Sequence, residues 1–239
     1  MQKLGCVSVR EYMAAVSRAP EIEKECRMYL TVSISRFFRD RRLWDALENV
    51  ELPDLISACG SVFRVWSCGC ARGEEAYSCK ILWDRLRSAA PNLSPLVLWA
   101  TDINPAYIGM AKQGVYGISS LKELPRGDIN RYFDQVTGKQ RYVVKPFLKE
   151  GIRFDHHDIT KHQPPATQFE VVFLRNNLLT YYRTPEKEKA LETILRVLAP
   201  GGMLIIGSHE KLPAGFGHMK ASADHPWIFF KPQTAQGGM

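Results

Sequence analysis

The stretch from Val62 to Lys80, Val-Phe-Arg-Val-Trp-Ser-Cys-Gly-Cys-Ala-Arg-Gly-Glu-Glu-Ala-Tyr-Ser-Cys-Lys, constrains the fold of this chain more than any other. Its opening, Val62 to Trp66, is short, apolar and β-branched, the pattern of a buried strand. Gly69 and Gly73 follow, and a helical pattern then continues to about Arg87. Strand, glycine loop and helix form the opening of a nucleotide-binding α/β unit. Glycine lets the backbone turn sharply and approach a ligand, and the helix N-terminus offers free N–H groups. The spacing is not Gly-x-Gly-x-x-Gly, and Glu74 and Glu75 follow at once. Carboxylates there repel a pyrophosphate, which disfavours a dinucleotide. They suit a ligand that carries an ammonium and a sulfonium, and S-adenosylmethionine (SAM) is such a ligand.

With 239 residues the chain can bury one large core and a small second unit. Apolar residues make up 45% and charged residues 24%, as in ordinary globular proteins. No apolar run approaches the roughly 18 residues that span a membrane, and Met1 to Cys6 lacks the apolar core of a signal peptide. A cytoplasmic protein without membrane insertion is expected. Cys68-Gly-Cys70 is a poor zinc pattern without a second pair, so no metal is expected and the thiols read as reduced small residues. The net charge of +7 points to an acidic partner. Eight Lys/Arg against four Asp/Glu lie between Gly117 and Arg153, and Arg36, Arg39, Arg41 and Arg42 crowd a short stretch. Such charges can also be merely solvated. No aromatic-interleaved basic repeat is present, so single-stranded nucleic acid is not an expected partner. A monomer is expected.

In chain order, residues 8 to 30 read as one or two helices divided by Pro20, opened by a capping box of Ser8 and Glu11. The paired Phe37 and Phe38, bracketed by arginines, suggest an anchored turn. Helix resumes through Leu43 and Leu47, and Pro53 marks the approach to the main domain. From Val62 the alternation predicts a parallel sheet with helices on both faces. The second strand, Leu96 to Thr101, ends in Asp102, where such units hold a ribose through its two hydroxyls. Asp102 can equally cap the helix beginning near Pro105. Residues 106 to 116 are helical, and then the rhythm breaks. A short helix, Asp128 to Phe133, precedes strand-like pieces near Arg141–Lys145 and Gly151–Phe154, which predicts a small β excursion. Asp158-Ile159 closes another strand, placed for an adenine amino group and ring edge. Phe169 to Leu174 is a strand ending in Arg175-Asn176. A helix near Pro185 runs to Leu198, a Pro200-Gly201-Gly202 turn follows, and Met203 to Ile206 is a strand. The final strand is Trp227 to Lys231, expected antiparallel at the sheet edge by analogy with methyltransferases.

Five stretches carry a family resemblance: Ser33-Ile-Ser-Arg-Phe-Phe-Arg39, Trp66 to Ser78, Ala100-Thr-Asp-Ile-Asn104, Arg175-Asn176, and Leu198-Ala-Pro-Gly-Gly-Met-Leu204. Over nearly its whole length the chain resembles the chemotaxis receptor methyltransferases of the CheR type. The resemblance implies an α/β, Rossmann-like SAM-dependent methyltransferase sheet. With it come a short N-terminal helical domain (1–50), a SAM-binding domain (51–239) and a β subdomain inserted at about 117–154. It implies methyl transfer from SAM to glutamate side chains on the cytoplasmic helical bundle of chemoreceptors, releasing S-adenosylhomocysteine (SAH). By resemblance Ser33, Ser35 and Arg39 meet the cofactor or active site, and Gly69 belongs to the cofactor loop. Glu75 faces the methionyl part, Asp102 the ribose and Asp158-Ile159 the adenine, while Arg175-Asn176 line the remaining wall. Arg39 is the catalytic candidate, because a guanidinium can orient an incoming carboxylate bidentately.

The chain departs from the family at several places. Ser33 and Ser35 replace Asn and Thr, Ala71-Arg72 replace Ser-Thr, and Gly207-Ser208-His209-Glu210 stands for Gly-His-Ser-Glu. Thr180 occupies the position of an active-site tyrosine, with Tyr181 and Tyr182 next to it. Few residues precede the Ser33 block. A SAM-binding signalling or scaffold protein with weak or no catalysis is therefore an open alternative, as is a methyltransferase for small molecules or RNA. The insert from Phe133 to Phe154, turning at Thr137-Gly138, is compact and carries Lys139, Arg141, Lys145, Lys149 and Arg153. This predicts direct, salt-sensitive docking of basic faces on an acidic receptor bundle, without a peptide tether.

Overall fold

The computed structural model describes residues 35–233 together with Ser8 and Glu11. The chain divides into two compact units, Met1–Ile34 and Ser35–Met239. In the first, Ser8 Oγ accepts the Glu11 N–H at 3.2 Å, one half of the expected capping box. The remainder of the helices expected over residues 8 to 30 lies outside the described residues. The division falls at 34/35 rather than 50/51, because the aromatic block that follows packs into the large core.

The second unit opens with α1 (Arg41–Ala46), a π turn (Leu47–Glu51) and α2 (Leu52–Ser57). Then come β1 (Phe63–Cys68), α3 (Glu74–Ala89), β2 (Leu96–Asp102) and α4 (Pro105–Gln113). An excursion follows: β3 (Val115–Gly117), α5 (Arg126–Tyr132), β4 (Phe133–Gln135), β5 (Arg141–Val144) and α6 (Pro146–Lys149). The chain finishes with β6 (Ile152–His156), β7 (Phe169–Leu174), α7 (Leu178–Tyr181), α8 (Thr184–Val197), β8 (Leu198–Ile206), β9 (Lys220–Ala221) and β10 (Ile228–Phe230). Seven strands form the main, largely parallel sheet in the order β6-β2-β1-β7-β8-β10-β9. This is the expected Rossmann-like α/β arrangement, with the strand order reversing between β1 and β7.

Both faces of this sheet are covered, which is why its strands read as nearly continuous apolar runs. Val65 pairs with Leu98 and Val171, and these side chains share one core with Trp44, Tyr77 and Ile81. The next residues along, Trp66, Trp99 and Val172, enter a second core with Leu191 and Ile194 on the opposite face. Among the described residues no helix is long and apolar enough to cross a membrane.

Three expectations need correction. Ile152–His156 does not belong to the excursion; it pairs in parallel with β2 at the edge of the main sheet. Its half-exposed, polar pattern reflects that edge position. The inserted sheet has three antiparallel strands, β3-β5-β4, and ends at Val144. Asp158-Ile159 closes no further strand, because it lies in the turn just after β6. Finally, β10 is antiparallel as expected but not outermost: the two-residue β9 pairs along its outer side.

Phe37 and Phe38 are both buried and hold the Ser35–Asp40 segment in place. Phe37 meets Tyr116 and Phe133 of the insert edge-on, at 4.9 and 5.1 Å. Phe38 meets Trp44, and its N–H donates to Ser78 Oγ at 2.9 Å. Phe38 and Asp40 have φ of 51° and 63°, left-handed values that are uncommon outside glycine. This sharp turn delivers Arg39 and Asp40 to Arg175, just after β7.

Candidate active site

In an open α/β sheet ligands bind beyond the carboxyl ends of the strands, where the order reverses. Here that is the crevice after β1, β2 and β7. Gly69 leaves β1 with φ 84°, and a Cβ there would stand 2.2 Å from the Asn177 side-chain nitrogen, so only glycine fits. The N–H groups of Gly69 and Cys70 both donate to the Thr101 carbonyl, at 2.8 and 2.9 Å. The next N–H, of Ala71, donates to Asp102 Oδ2 at 2.8 Å. The glycine loop is thus fastened to the end of β2.

Asp102 is buried, and its Oδ1 accepts the Asn104 N–H at 2.8 Å. The helix cap is a neighbour: Asn104 Oδ1 accepts the Ala106 N–H at 3.0 Å, so Asp102 is not the cap of α4. Each Asp102 oxygen keeps a second lone pair, and an acceptor carboxylate beside a glycine loop suits paired ribose hydroxyls. Burial outweighs its two backbone hydrogen bonds and raises its pKa above the usual aspartate value. Protonation therefore begins at a higher pH than for an ordinary aspartate and removes the acceptor. The sign for folding is opposite, because a carboxyl with a raised folded pKa favours the fold on protonation. SAH affinity, followed by calorimetry, is expected to fall as the pH is lowered from about 6 towards 4. Asp102→Asn should bind weakly with a flatter profile. A wild-type affinity indifferent to pH over this range would remove Asp102 from the ribose site.

Glu75, on the first turn of α3, is the second carboxylate of the crevice. Its Oε1 accepts from Ser67 Oγ at 2.7 Å and its Oε2 from Arg175 Nη1 at 3.0 Å. Arg175 is itself buried, and its other arm donates to Asp40 Oδ2 at 2.5 Å and to the Arg39 carbonyl at 3.2 Å. Arg175 thus ties Glu75 to Asp40, and neither this link nor the Ser67 contact is foreseen in the sequence. Asp40 had one visible sign, since it directly follows the Phe-Phe-Arg block.

Asn176 stands beside Arg175 with φ 52°. Glu210 holds it there. One Glu210 oxygen accepts the Asn176 and Gly207 N–H groups at 2.9 and 2.7 Å, and the other accepts from Thr180 Oγ1 at 2.5 Å. Thr180 thus spends its hydroxyl on Glu210, while Tyr181 is exposed. The only sequence trace of Glu210 is its place in the Gly-Ser-His-Glu run.

The remaining candidates are more dispersed. Asp158 lies beyond β6, tied to the Asp102 end because the His157 N–H donates to the Asp102 carbonyl at 2.9 Å. Its carboxylate accepts from the Thr160 N–H and hydroxyl at 3.0 and 2.7 Å, and its own N–H donates to His162 Nδ1 at 3.1 Å. The Asp158 carboxylate is therefore committed to its own turn, with Lys161 3.5 Å from its other oxygen. Ser35 stands beside the wholly buried Glu74, whose pKa burial raises against the opposing pull of Arg72, Ser35 and Ser120. Arg39 is partly buried next to Arg175. Ser33 lies outside the described residues. Cys68 and Cys70 are buried thiols, pushed well above the usual range first by burial and then by Asp102 and Glu75.

Several of the basic residues are committed to neighbours. Lys145 donates to the Asn130 carbonyl, Lys149 to those of Lys112 and Gln113, and Arg153 lies 4.9 Å over the Trp99 ring. Lys139 and Arg141 are exposed on the insert, and Arg41 and Arg42 near α1.

Known proteins share this sequence pattern. The family of the CheR methyltransferase, SAM binding domain, matches residues 33–228. A chemotaxis protein methyltransferase of Listeria monocytogenes is 32% identical over 191 residues, which cover 79% of this chain and 70% of that protein. An uncharacterized 104.1 kDa protein of Rhodobacter capsulatus is 31% identical over 188 residues, 78% of this chain but only 19% of that protein. Among solved structures, the N-methyltransferase NodS of Bradyrhizobium japonicum, in complex with SAH, is similar with a TM-score of 0.39 at 19% identity. That likeness covers 74% of this chain and 64% of NodS. The family match spans most of the sequence and includes every strand of the crevice, and the chain belongs to the CheR methyltransferase family.

Proposed function

We propose that this SAM-dependent methyltransferase methylates glutamate side chains of chemotaxis receptors, the methyl-accepting chemotaxis proteins, to glutamyl methyl esters. The observation that carries this reading is the buried Arg175, which bridges Glu75 of the crevice and Asp40 of the Phe-Phe-Arg segment. It joins the side on which a cationic methyl donor fits to a side rich in arginine. Bound SAM supplies a methyl group on a sulfonium. The Gly69 loop and Asp102 would hold its ribose, Glu75 its methionyl part and the Ile159 amide its adenine, with Arg175 and Asn176 forming the far wall. A glutamate, with an ordinary pKa of about 4.3, is already ionised at neutral pH, so the protein need only align it.

Arg39 is the residue proposed to orient that carboxylate. Arg39→Lys keeps the charge but loses the planar fork, and should slow transfer while sparing SAH affinity. Transfer at the wild-type rate would remove the role. The receptor partner would be an acidic helical bundle met by the exposed arginines near α1 and by Lys139 and Arg141, with binding that weakens as salt rises.

A second reading, SAM binding with weak or no transfer, rests on Thr180, whose hydroxyl is bound to Glu210. Incubation with labelled SAM and receptor cytoplasmic fragments separates the two. Base-labile label on the fragment supports the enzyme, and binding without transfer supports the signalling protein. Label confined to RNA or a metabolite would overturn both.

A further inference from the structure

One buried charge has no part in the crevice described above. Glu74, beside Glu75 on the first turn of α3, is 0% exposed, and neither carboxylate oxygen accepts a regular hydrogen bond. Its charge partner is Arg72, whose Nη2 lies 3.3 Å from Oε1, and the hydroxyls of Ser35 and Ser120 flank it. A wholly buried carboxylate carries a large desolvation penalty that an ion pair offsets only in part. A glutamine would meet Ser35 and Ser120 equally well without that penalty. What only glutamate supplies at this position is a negative charge.

That charge stands next to the cofactor loop. Arg72 directly follows Ala71, whose N–H is bonded to Asp102 Oδ2 at 2.8 Å, and the Arg72 carbonyl accepts the Tyr116 hydroxyl at 2.6 Å. The Arg72 backbone is thereby fixed at the rim of the crevice, while its guanidinium, on a side chain 41% exposed, turns to Glu74. Nearby, Arg175 is matched by Glu75 and Asp40. The N-terminus of α3 adds roughly half a unit of positive charge. Glu74 is the counter-charge that keeps the loop from adding a whole one.

We propose that Glu74 is a specificity-determining residue: by neutralising Arg72 it lets the crevice take the cationic methyl donor, SAM, in competition with the net-neutral product, SAH. The two ligands differ in one charge at sulfur, since the sulfonium becomes a thioether when the methyl group leaves. Contacts to adenine, ribose and the amino-acid end are common to both and cancel in the ratio of the two affinities. An uncompensated charge on the loop does not cancel. With partial shielding by solvent, one unit charge at the rim shifts that ratio by about fivefold. The assignment rests on the donor lying in the Gly69–Asp102 crevice and holds whichever acceptor the enzyme uses.

Calorimetry with SAM and with SAH, on the full chain without acceptor, reads the ratio directly. Glu74→Gln should lower the affinity for SAM relative to SAH by about fivefold at low salt. The change should shrink as salt rises, because the freed Arg72 faces solvent. The double variant Arg72→Gln/Glu74→Gln, which removes both charges, should return the ratio to within about twofold of wild type, whatever the absolute affinities. Arg72→Glu alters a half-exposed side chain, so it reports even if Glu74→Gln folds poorly, and it should raise the ratio. Equal weakening of both ligands in Glu74→Gln, a double variant that keeps the altered ratio, or an Arg72→Glu ratio at or below wild type would overturn the assignment. Unchanged ratios alongside weakened binding of both ligands by Asp102→Asn would overturn the assignment alone. A wild-type chain that binds neither ligand would overturn the crevice reading with it.

Discussion

Arg175→Met is expected to abolish most methyl transfer and to lower stability by about 3–5 kcal/mol, the cost of breaking a buried ion pair by removing one partner. The cost falls chiefly on Glu75, whose side chain is 15% exposed, because Asp40, at 37%, can regain water. Without the guanidinium, Glu75 keeps only the Ser67 hydroxyl, and the Arg39 carbonyl and Asp40 lose their tie to the end of β7. Arg175→Lys should recover only part of the loss, since one ammonium cannot span Glu75 and Asp40 as a fork does. Denaturant unfolding and SAH calorimetry on both variants check this. Wild-type stability in Arg175→Met would mean that the network contributes nothing to the fold.

The second large effect is expected at Glu210. Its carboxylate gathers two backbone N–H groups and the Thr180 hydroxyl, and so fixes Asn176 in its left-handed conformation against the crevice. Glu210→Ala leaves these donors without their acceptor at a cost of roughly 1–3 kcal/mol for each group that cannot reach water. The larger consequence is positional. A displacement of about 1 Å in a positioning loop can cost a hundredfold in rate, so kcat should fall by about that factor. Glu210→Gln, which keeps one acceptor oxygen, should recover stability more fully than rate. A kcat within about threefold of wild type in Glu210→Ala would show that Asn176 holds its position unaided.

What the sequence made legible was local. Strand, glycine loop and helix from Phe63 to Ala89 follow from short-range periodicity and from two positions that need glycine's conformations. Asp102 could be picked out because its position at the end of β2 is itself a local feature. What escaped depends on distant partners. Ile152–His156 has the half-polar look of an excursion because only one side of it pairs, with β2. β9, only two residues long, has no periodicity to detect. The Arg175 links to Glu75 and Asp40 span 100 and 135 residues, and no spacing rule joins them. Glu210 escaped for the same reason: its value comes from three donors assembled by β7, α7 and β8 together. The Asp158 carboxylate looked available from its place after a strand, but Thr160, two residues on, had already claimed it.

The central claim is methyl transfer to a glutamate carboxylate, and the most direct test is to map the modified residue. A receptor cytoplasmic fragment would be incubated with the wild-type chain and SAM, digested, and sequenced by mass spectrometry before and after mild base. Methyl groups on glutamate side chains that are lost in base, and that fail to form on fragments with those glutamates changed to glutamine, are the predicted result. Methylation of lysine, arginine or a backbone position, or a base-stable product, would contradict the account.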